Sequence, residues 1–302
     1  MSKYLFSRGK NTLFLSKTQS ALNKKELEAL ITLLEDPDEE VFDSVSGRLI
    51  ELGEKVVTPL EKRWEVTLRP DLQERIENVI REIQFNTLKR GMDIWKATGG
   101  KDLLFGAYLV ARFHYPELSF QPLNDAIDKI KRDIWLELNS QLTALEKVRV
   151  INYFMYEIHK FGRSQKKAHT PQLYLVNHVI NTFKGSPVML GLIYAELARR
   201  LEIPIYGVNL PRNFVLCYFD PDYQEDPNGI LFYINPSDNG NVLGIRELKH
   251  FLSQMKIEER EFYFKPCSNI DIIERLIINL QYAYTRTGDT DKAKQLNRLL
   301  QK

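Results

Sequence analysis

The chain has 302 residues, 43% apolar and 27% charged, the mix of a globular protein with room for more than one core. Lys and Arg number 42 against 40 Asp and Glu, a net charge of +2, which argues against an obligate nucleic-acid binder and its basic excess. Only two cysteines, Cys217 and Cys267, are present, which excludes a disulfide scaffold and a four-cysteine zinc site.

The longest apolar run, residues 103–111, is closed by Arg112. A spanning helix needs roughly 20 such residues. The leader, residues 1–22, carries only the patch Leu13-Phe14-Leu15, a poor signal-peptide core. The expectation is a cytoplasmic chain with reduced cysteines and no membrane partner. There is no G-x-G-x-x-G, and Gly9-Lys10 lacks the upstream glycine of a phosphate loop. The loop 220–229 carries Asp220, Asp222, Glu225 and Asp226 but lacks the sixth-position glycine of a calcium loop. It reads as a solvated acidic turn, and neither metal nor cofactor is expected.

From Lys25, Leu27, Leu30, Ile31 and Leu34 recur at helical spacing until Asp36-Pro37 stops them. Val41, Val45, Leu49 and Leu52 mark a second helix ending at Gly53, and Pro59 opens a third with Leu60 and Trp64. The string LLEDPDEEVFDSVSGRLIELGEKVVTPL resembles one HEAT repeat, which implies a helical scaffold with a groove. The acidic corner Glu35, Asp36, Asp38, Glu39, Glu40 suits the positive end of a helix. Further helices are predicted over 71–95, 101–113, 124–138, 145–160 and 171–183.

Ser186 is the candidate N-cap of the next helix, with Pro187 at its first position. Residues 188–201 are apolar nearly all round, so this helix is buried on every side. Only Glu196, Arg199 and Arg200 are expected to need water. After Pro204 the period changes: 205–210, 214–219 and 231–234 read as short antiparallel strands. Helices return over 269–286 and after Gly288. The string NLQYAYTRTGDTDKAKQLNRLL resembles one tetratricopeptide repeat. A single repeat cannot bury its own face, so it should pack on the preceding domain.

Residues 171–248 resemble the SirB-type branch of the transglutaminase-like superfamily. The landmarks are Asn177, Gly185-Ser186-Pro187, the corner Arg199-Arg200-Leu201-Glu202-Ile203-Pro204, the turn Pro211-Arg212-Asn213-Phe214, and Asn235-Pro236. The resemblance implies an α+β, mostly helical fold: a transglutaminase-like, papain-like core with a small antiparallel sheet, flanked by helical repeats. The expected order is leader 1–22, HEAT-like domain 23–114, core 115–266 and tetratricopeptide-like hairpin 267–302.

In enzymes of that superfamily a cysteine at the central helix N-terminus, a histidine on the next strand and an aspartate on its neighbour form the catalytic set. Here residues 185–191 hold no cysteine, and Asn213 and Asn235 stand where histidine and aspartate are expected. Asparagine does not titrate near neutrality, so it cannot serve as a base. The expected product of these changes is a degenerate pocket around Ser186, Pro187, Met189, Asn213, Cys217 and Asn235, with no catalytic residue. Strand alternation puts Cys217 on Asn213's face, where it could point toward the old site. His169 and His178 precede the central helix as candidate partners. Cys267, beside Pro266, has no visible partner. Asn213 and Asn235 could bond across adjacent strands or line a polar pocket. The leading reading is therefore a non-catalytic protein- or peptide-interaction module. Its alternative is a hydrolase or amide-transfer enzyme rebuilt on Cys217 or Ser186.

Overall fold

The computed structural model describes residues 24–164, 170–223 and 228–300. The chain divides into two compact units, one ending at Gln84 and one beginning at Phe85. The sequence reading placed the boundary between its HEAT-like domain and its core at 114/115.

The first unit contains α1 (Lys24–Leu33), α2 (Glu39–Leu52), α3 (Val57–Val66) and the first half of α4 (Pro70–Ala97). Leu27, Ile31, Leu34, Val45, Leu49, Leu60, Leu72 and Ile76 interlock as its core. Gly53 ends α2 at φ 70°, a conformation open to glycine without strain. Pro59 falls two residues inside α3 rather than opening it; a first-turn proline has no helical donor to lose. The acidic corner is consumed locally. Asp38 accepts the Glu40 N–H as cap of α2, Arg75 pairs with Glu39 at 2.6 Å, and Arg63 pairs with Glu35.

The second unit is built around one helix. α5 (Leu103–Arg112), α6 (Phe120–Trp135), α7 (Ala144–Asn152) and α8 (Val176–Thr182) surround α9 (Pro187–Arg200). α6 begins before Pro122, again a first-turn proline. α7 starts on a Thr143/Glu146 capping box and passes into a π-helical turn, Tyr153–Ile158, where the sequence predicts continuous α-helix. A 3-10 turn, Pro171–Tyr174, precedes α8. A two-residue parallel pair, β1 (Gly162–Arg163) with β2 (Lys184–Gly185), leads directly into α9.

β3 (Ile205–Val208), β4 (Val215–Phe219), β5 (Ile230–Asn235) and β6 (Asn241–Leu243) form an antiparallel meander in chain order. Ile205, Leu216, Tyr218 and Ile234 join the core around α9. Val208, Val215, Cys217, Ile230 and Tyr233 face the other way, onto Leu248 and Leu252. Those leucines belong to α10 (Ile245–Gln254), a helix the sequence reading missed. α11 (Asn269–Thr287) and α12 (Thr290–Leu300) complete the unit, joined at Gly288 with φ 87°. Their buried Ile273, Leu276, Leu280 and Leu296 belong to the same core as α9. The fold is α+β and mostly helical. Among the described residues no helix is long and apolar enough to cross a membrane.

One expectation about α9 is corrected. Glu196 is fully buried rather than hydrated. A buried carboxylate persists only when paired and hydrogen-bonded. Arg199 holds it at 2.9 and 2.7 Å and Arg200 at 2.7 Å. Arg200 then reaches Asp128 at 2.6 Å and Asn124 at 3.0 Å, both on α6.

Candidate functional site

The start of α9 is closed by its own residues. Ser186 is 4% exposed, and its Oγ accepts the Met189 N–H at 3.3 Å. Its own N–H donates to Leu173 O at 2.9 Å. Pro187 brings no donor. Val188 and Met189 are buried. Ser186, Pro187 and Met189 thus gather at one helix end, as the sequence predicts, and none of them titrates. Ser186 Oγ is engaged as a cap, with its lone pair on a backbone donor.

Asn213 lies in the turn before β4, not on the strand. Its Oδ1 accepts the Phe214 N–H at 2.9 Å, and its carbonyl accepts from Arg275 Nη2 at 3.2 Å. Asn235 ends β5, and its Oδ1 accepts from Ser237 N and Oγ at 3.2 and 2.9 Å. The register Leu216↔Ile234, carried one residue further, sets Asn235 opposite Val215. The two asparagines therefore spend their side chains on their own turns and do not bond to each other.

Cys217 departs from its expected place. The alternation along β4 is as predicted, but Cys217 projects to the α10 face, away from α9. It is fully buried. Burial pushes its thiol up to about 12, with the neighbouring Cys267 adding to the effect. Burial likewise pushes Cys267 up to about 12. Both are free thiols, and at neutral pH neither is a thiolate. His178 sits on α8. His169 lies outside the described residues.

The space beside α9 is occupied by hydrocarbon. A Cβ on Gly191 would meet the Phe214 ring at 2.5 Å and Pro236 Cγ at 3.3 Å. Phe214 follows Asn213 directly, and Pro236 follows Asn235. The residues after the two asparagines thus pack down on the helix. Pro236 is clamped from behind, its carbonyl accepting Tyr156 Oη at 3.0 Å. Asn152 holds the same loop, donating to Gly240 O at 2.9 Å and accepting from Tyr194 Oη at 3.0 Å. Burial raises the Tyr156 and Tyr194 hydroxyls far above the usual phenol range, so both act as neutral donors. Sequence reasoning missed this Asn152–Tyr156–Tyr194 network. Tyr156 lies in the π-helical turn, where helical spacing no longer tells which side chains share a face.

Hollows open elsewhere among the described residues. One of about 290 Å³ lies between α9, β3 and Cys267. One of about 410 Å³ lies between α1 and α3 in the first unit. One of about 480 Å³ lies between α11 and residues 209–212. None is lined by Ser186, Pro187, Met189, Asn213, Cys217 or Asn235.

Comparison with known proteins agrees with this architecture. A UPF0162 protein of Pseudomonas aeruginosa is 30% identical over 187 residues, covering 62% of this chain and 66% of the relative. UPF0162 protein YchA of Escherichia coli is 23% identical over 185 residues, covering 59% and 66%. F-box only protein 21 of Mus musculus is 26% identical over 122 residues, covering 39% of this chain and 18% of that protein. The match thus spans about two thirds of these bacterial relatives' lengths. No solved structure matches. Residues 121–278, more than half of the chain and the whole span from α6 into α11, match the transglutaminase-like superfamily, and the chain belongs to that superfamily.

Proposed function

We propose that this chain is a non-catalytic member of the superfamily, of the SirB-type branch, acting in the cytoplasm as a protein- or peptide-interaction module. The observation that carries the reading is the filling of the old site by Phe214 and Pro236 on Gly191. A reacting carbonyl needs open space within about 3.5 Å of a nucleophile and its base. Here that space abuts rings, a capping serine and two asparagines that serve their own turns. The rebuilt-enzyme alternative draws no support from Cys217, which faces α10. The interaction role draws on the flanking helices, which we read as one HEAT-like repeat before the core and one tetratricopeptide-like repeat after it. Helical repeats of both kinds present extended surfaces to partners.

The test is two-sided. Purified protein is incubated with glutaminyl-amide, thioester and peptide substrates at neutral pH, and a tagged copy is cross-linked in its native host. The reading expects no turnover above a heat-denatured control and a reproducible stoichiometric partner. Thiol-dependent turnover abolished by Cys217→Ala or Cys267→Ala would overturn it.

A further inference from the structure

We infer that the hollow between α11 and residues 209–212 is a subsite for a peptide carboxylate, gripped by the unpaired edge of Arg275. The inference rests on the interaction reading above and gives that reading a ligand chemistry. Arg275 stands on α11, half-buried, and its guanidinium is spent on neutral oxygens. Nη1 donates to Asn209 Oδ1 and to Leu210 O, and Nη2 donates to Asn213 O. A guanidinium has five N–H donors, so Nε–H and one Nη2–H remain. Nε makes no hydrogen bond and is not among the sealed, unpartnered atoms of the described residues, so it reaches accessible space. No carboxylate of the described residues forms an ion pair with Arg275. Burial pulls its pKa down, the mark of a cation whose lost hydration has not been replaced by a counter-charge.

The surroundings fit the missing anion. The hollow is about 480 Å³ and holds Arg212 as a second cation. Arg212 is presented by a backbone at φ 60°. The two carboxylates that line it are already engaged. Asp271 caps α11, accepting from Ser268 N and Oγ at 2.9 and 2.6 Å. Glu274 pairs with Lys96 at 2.7 Å. One turn past Arg275, Ile278 lines the same hollow and is 51% exposed, and Tyr282 follows at 52%. A guanidinium beside the exposed Ile278 suits a peptide whose carboxylate sits next to an apolar residue. An arginine fork binds a carboxylate with two parallel hydrogen bonds. The carboxylate is either a chain terminus or an acidic side chain, a choice the probes below separate.

The experiment is label-free calorimetry on the full chain with three pentapeptides of one neutral, leucine-ended sequence. The first has a free C-terminal carboxylate, the second is its amide, and the third is an amide with one glutamate beside the leucine. At least one carboxylate probe should bind, identifying the source, and the neutral amide should not. Arg275→Gln should weaken that probe at least about tenfold, the effect of losing one charge-assisted contact. Because Arg275 also ties down the 209–213 turn, Ile278→Glu is the second variant. It alters only an exposed position, places a negative charge in the hollow, and should weaken the probe about as much. The inference falls if the neutral amide binds as well as the carboxylates, if no probe binds at about 1 mM, or if Ile278→Glu binds like the wild type. Failure here with a captured partner retained moves the contact elsewhere on the chain. Thiol-dependent turnover, by contrast, overturns the interaction reading itself.

Discussion

Gly191→Ala separates helix propensity from packing beside α9. Glycine inside a helix costs about 1 kcal/mol relative to alanine, so propensity alone makes Gly191→Ala stabilising. The structure says the reverse. The new Cβ would stand 2.5 Å from both Cδ1 and Cε1 of Phe214, a ring only 1% exposed. The ring cannot retreat freely, because its Cζ already lies 2.9 Å from where a Cβ on Gly207 would be, and Ile272 fills the same corner. Overpacking of this kind costs about 1–3 kcal/mol, and a ring closed on both sides belongs at the upper end. About 3 kcal/mol of strain against about 1 kcal/mol of propensity leaves a loss of about 2 kcal/mol. Amide exchange read by mass spectrometry gives this for α9 peptides separately from those of the first unit. Gly47→Ala is the control: nothing lies within 4 Å of its Cβ position in α2, and it should gain up to about 1 kcal/mol. Phe214→Leu should relieve the strain, giving a coupling of at least about 1 kcal/mol in the double-mutant cycle. Greater protection of α9 in Gly191→Ala would refute the reasoning, and with it the claim that the Phe214 ring fills the space beside Gly191.

Three further outcomes follow from the same contacts. Glu196→Gln removes one of Arg200's two counter-charges and leaves Asp128 as the other, so it should cost about 2 kcal/mol in urea unfolding; an unchanged midpoint would mean that the Glu196–Arg200–Asp128 chain does not tie α9 to α6. Gly240→Ala combines a left-handed φ of 71° with a Cβ driven into the Asn152 amide, so it should lose about 2–3 kcal/mol through strain and two broken hydrogen bonds. Adding Asn152→Ala should recover part of that loss, and strictly additive effects would sink the explanation. The third concerns alkali: Cys217 and Cys267 ionise near 9.0 when free but only at about 12 in the fold. The unfolded chain therefore sheds these protons first, and the stability they lend is whole below about pH 9 and lost as pH climbs toward 12. The melting temperature should fall between about pH 9 and 10.5, less steeply in a Cys217→Ala/Cys267→Ala variant, and a flat profile would contradict the burial of the thiols. Neither native thiol should react with a disulfide reagent at neutral pH.

What could be read from the sequence, and what could not, divides by the kind of information each residue carries. The cap at Ser186, the proline at 187 and the all-round apolar α9 are local facts, written in consecutive residues, and they appear in the structure as read. The absence of cysteine, histidine and aspartate from the three landmark positions needs only residue identity. The direction of Cys217 needed more. Alternation along β4 assigns it correctly to the Val215 side, but both sides of that strand are apolar, so alternation does not say which one meets α9. The answer depended on α10, whose Leu248, Phe251 and Leu252 carry a readable helical spacing that went unread. Glu196 shows the opposite error. Its arginines at i+3 and i+4 are spaced to neutralise it, and on a helix buried all round that spacing signals an internal pair rather than a hydrated end.

The filled site also changes what the two asparagines mean. Replacing a catalytic histidine or aspartate need not alter a backbone, and a lost triad could leave an empty cleft. Here each asparagine is built into a turn. Asn213 accepts the N–H of the very residue whose ring covers Gly191. Asn235 holds Ser237 and so shapes the loop that brings Pro236 onto the same helix. Both asparagines are half-buried, and each spends its Oδ1 on its own turn. On the proposed non-catalytic reading, these turns fit a closed site better than an open one. On that reading the search for binding moves outward, to the face of α11 where Arg275 joins the Asn213 turn to the open hollow.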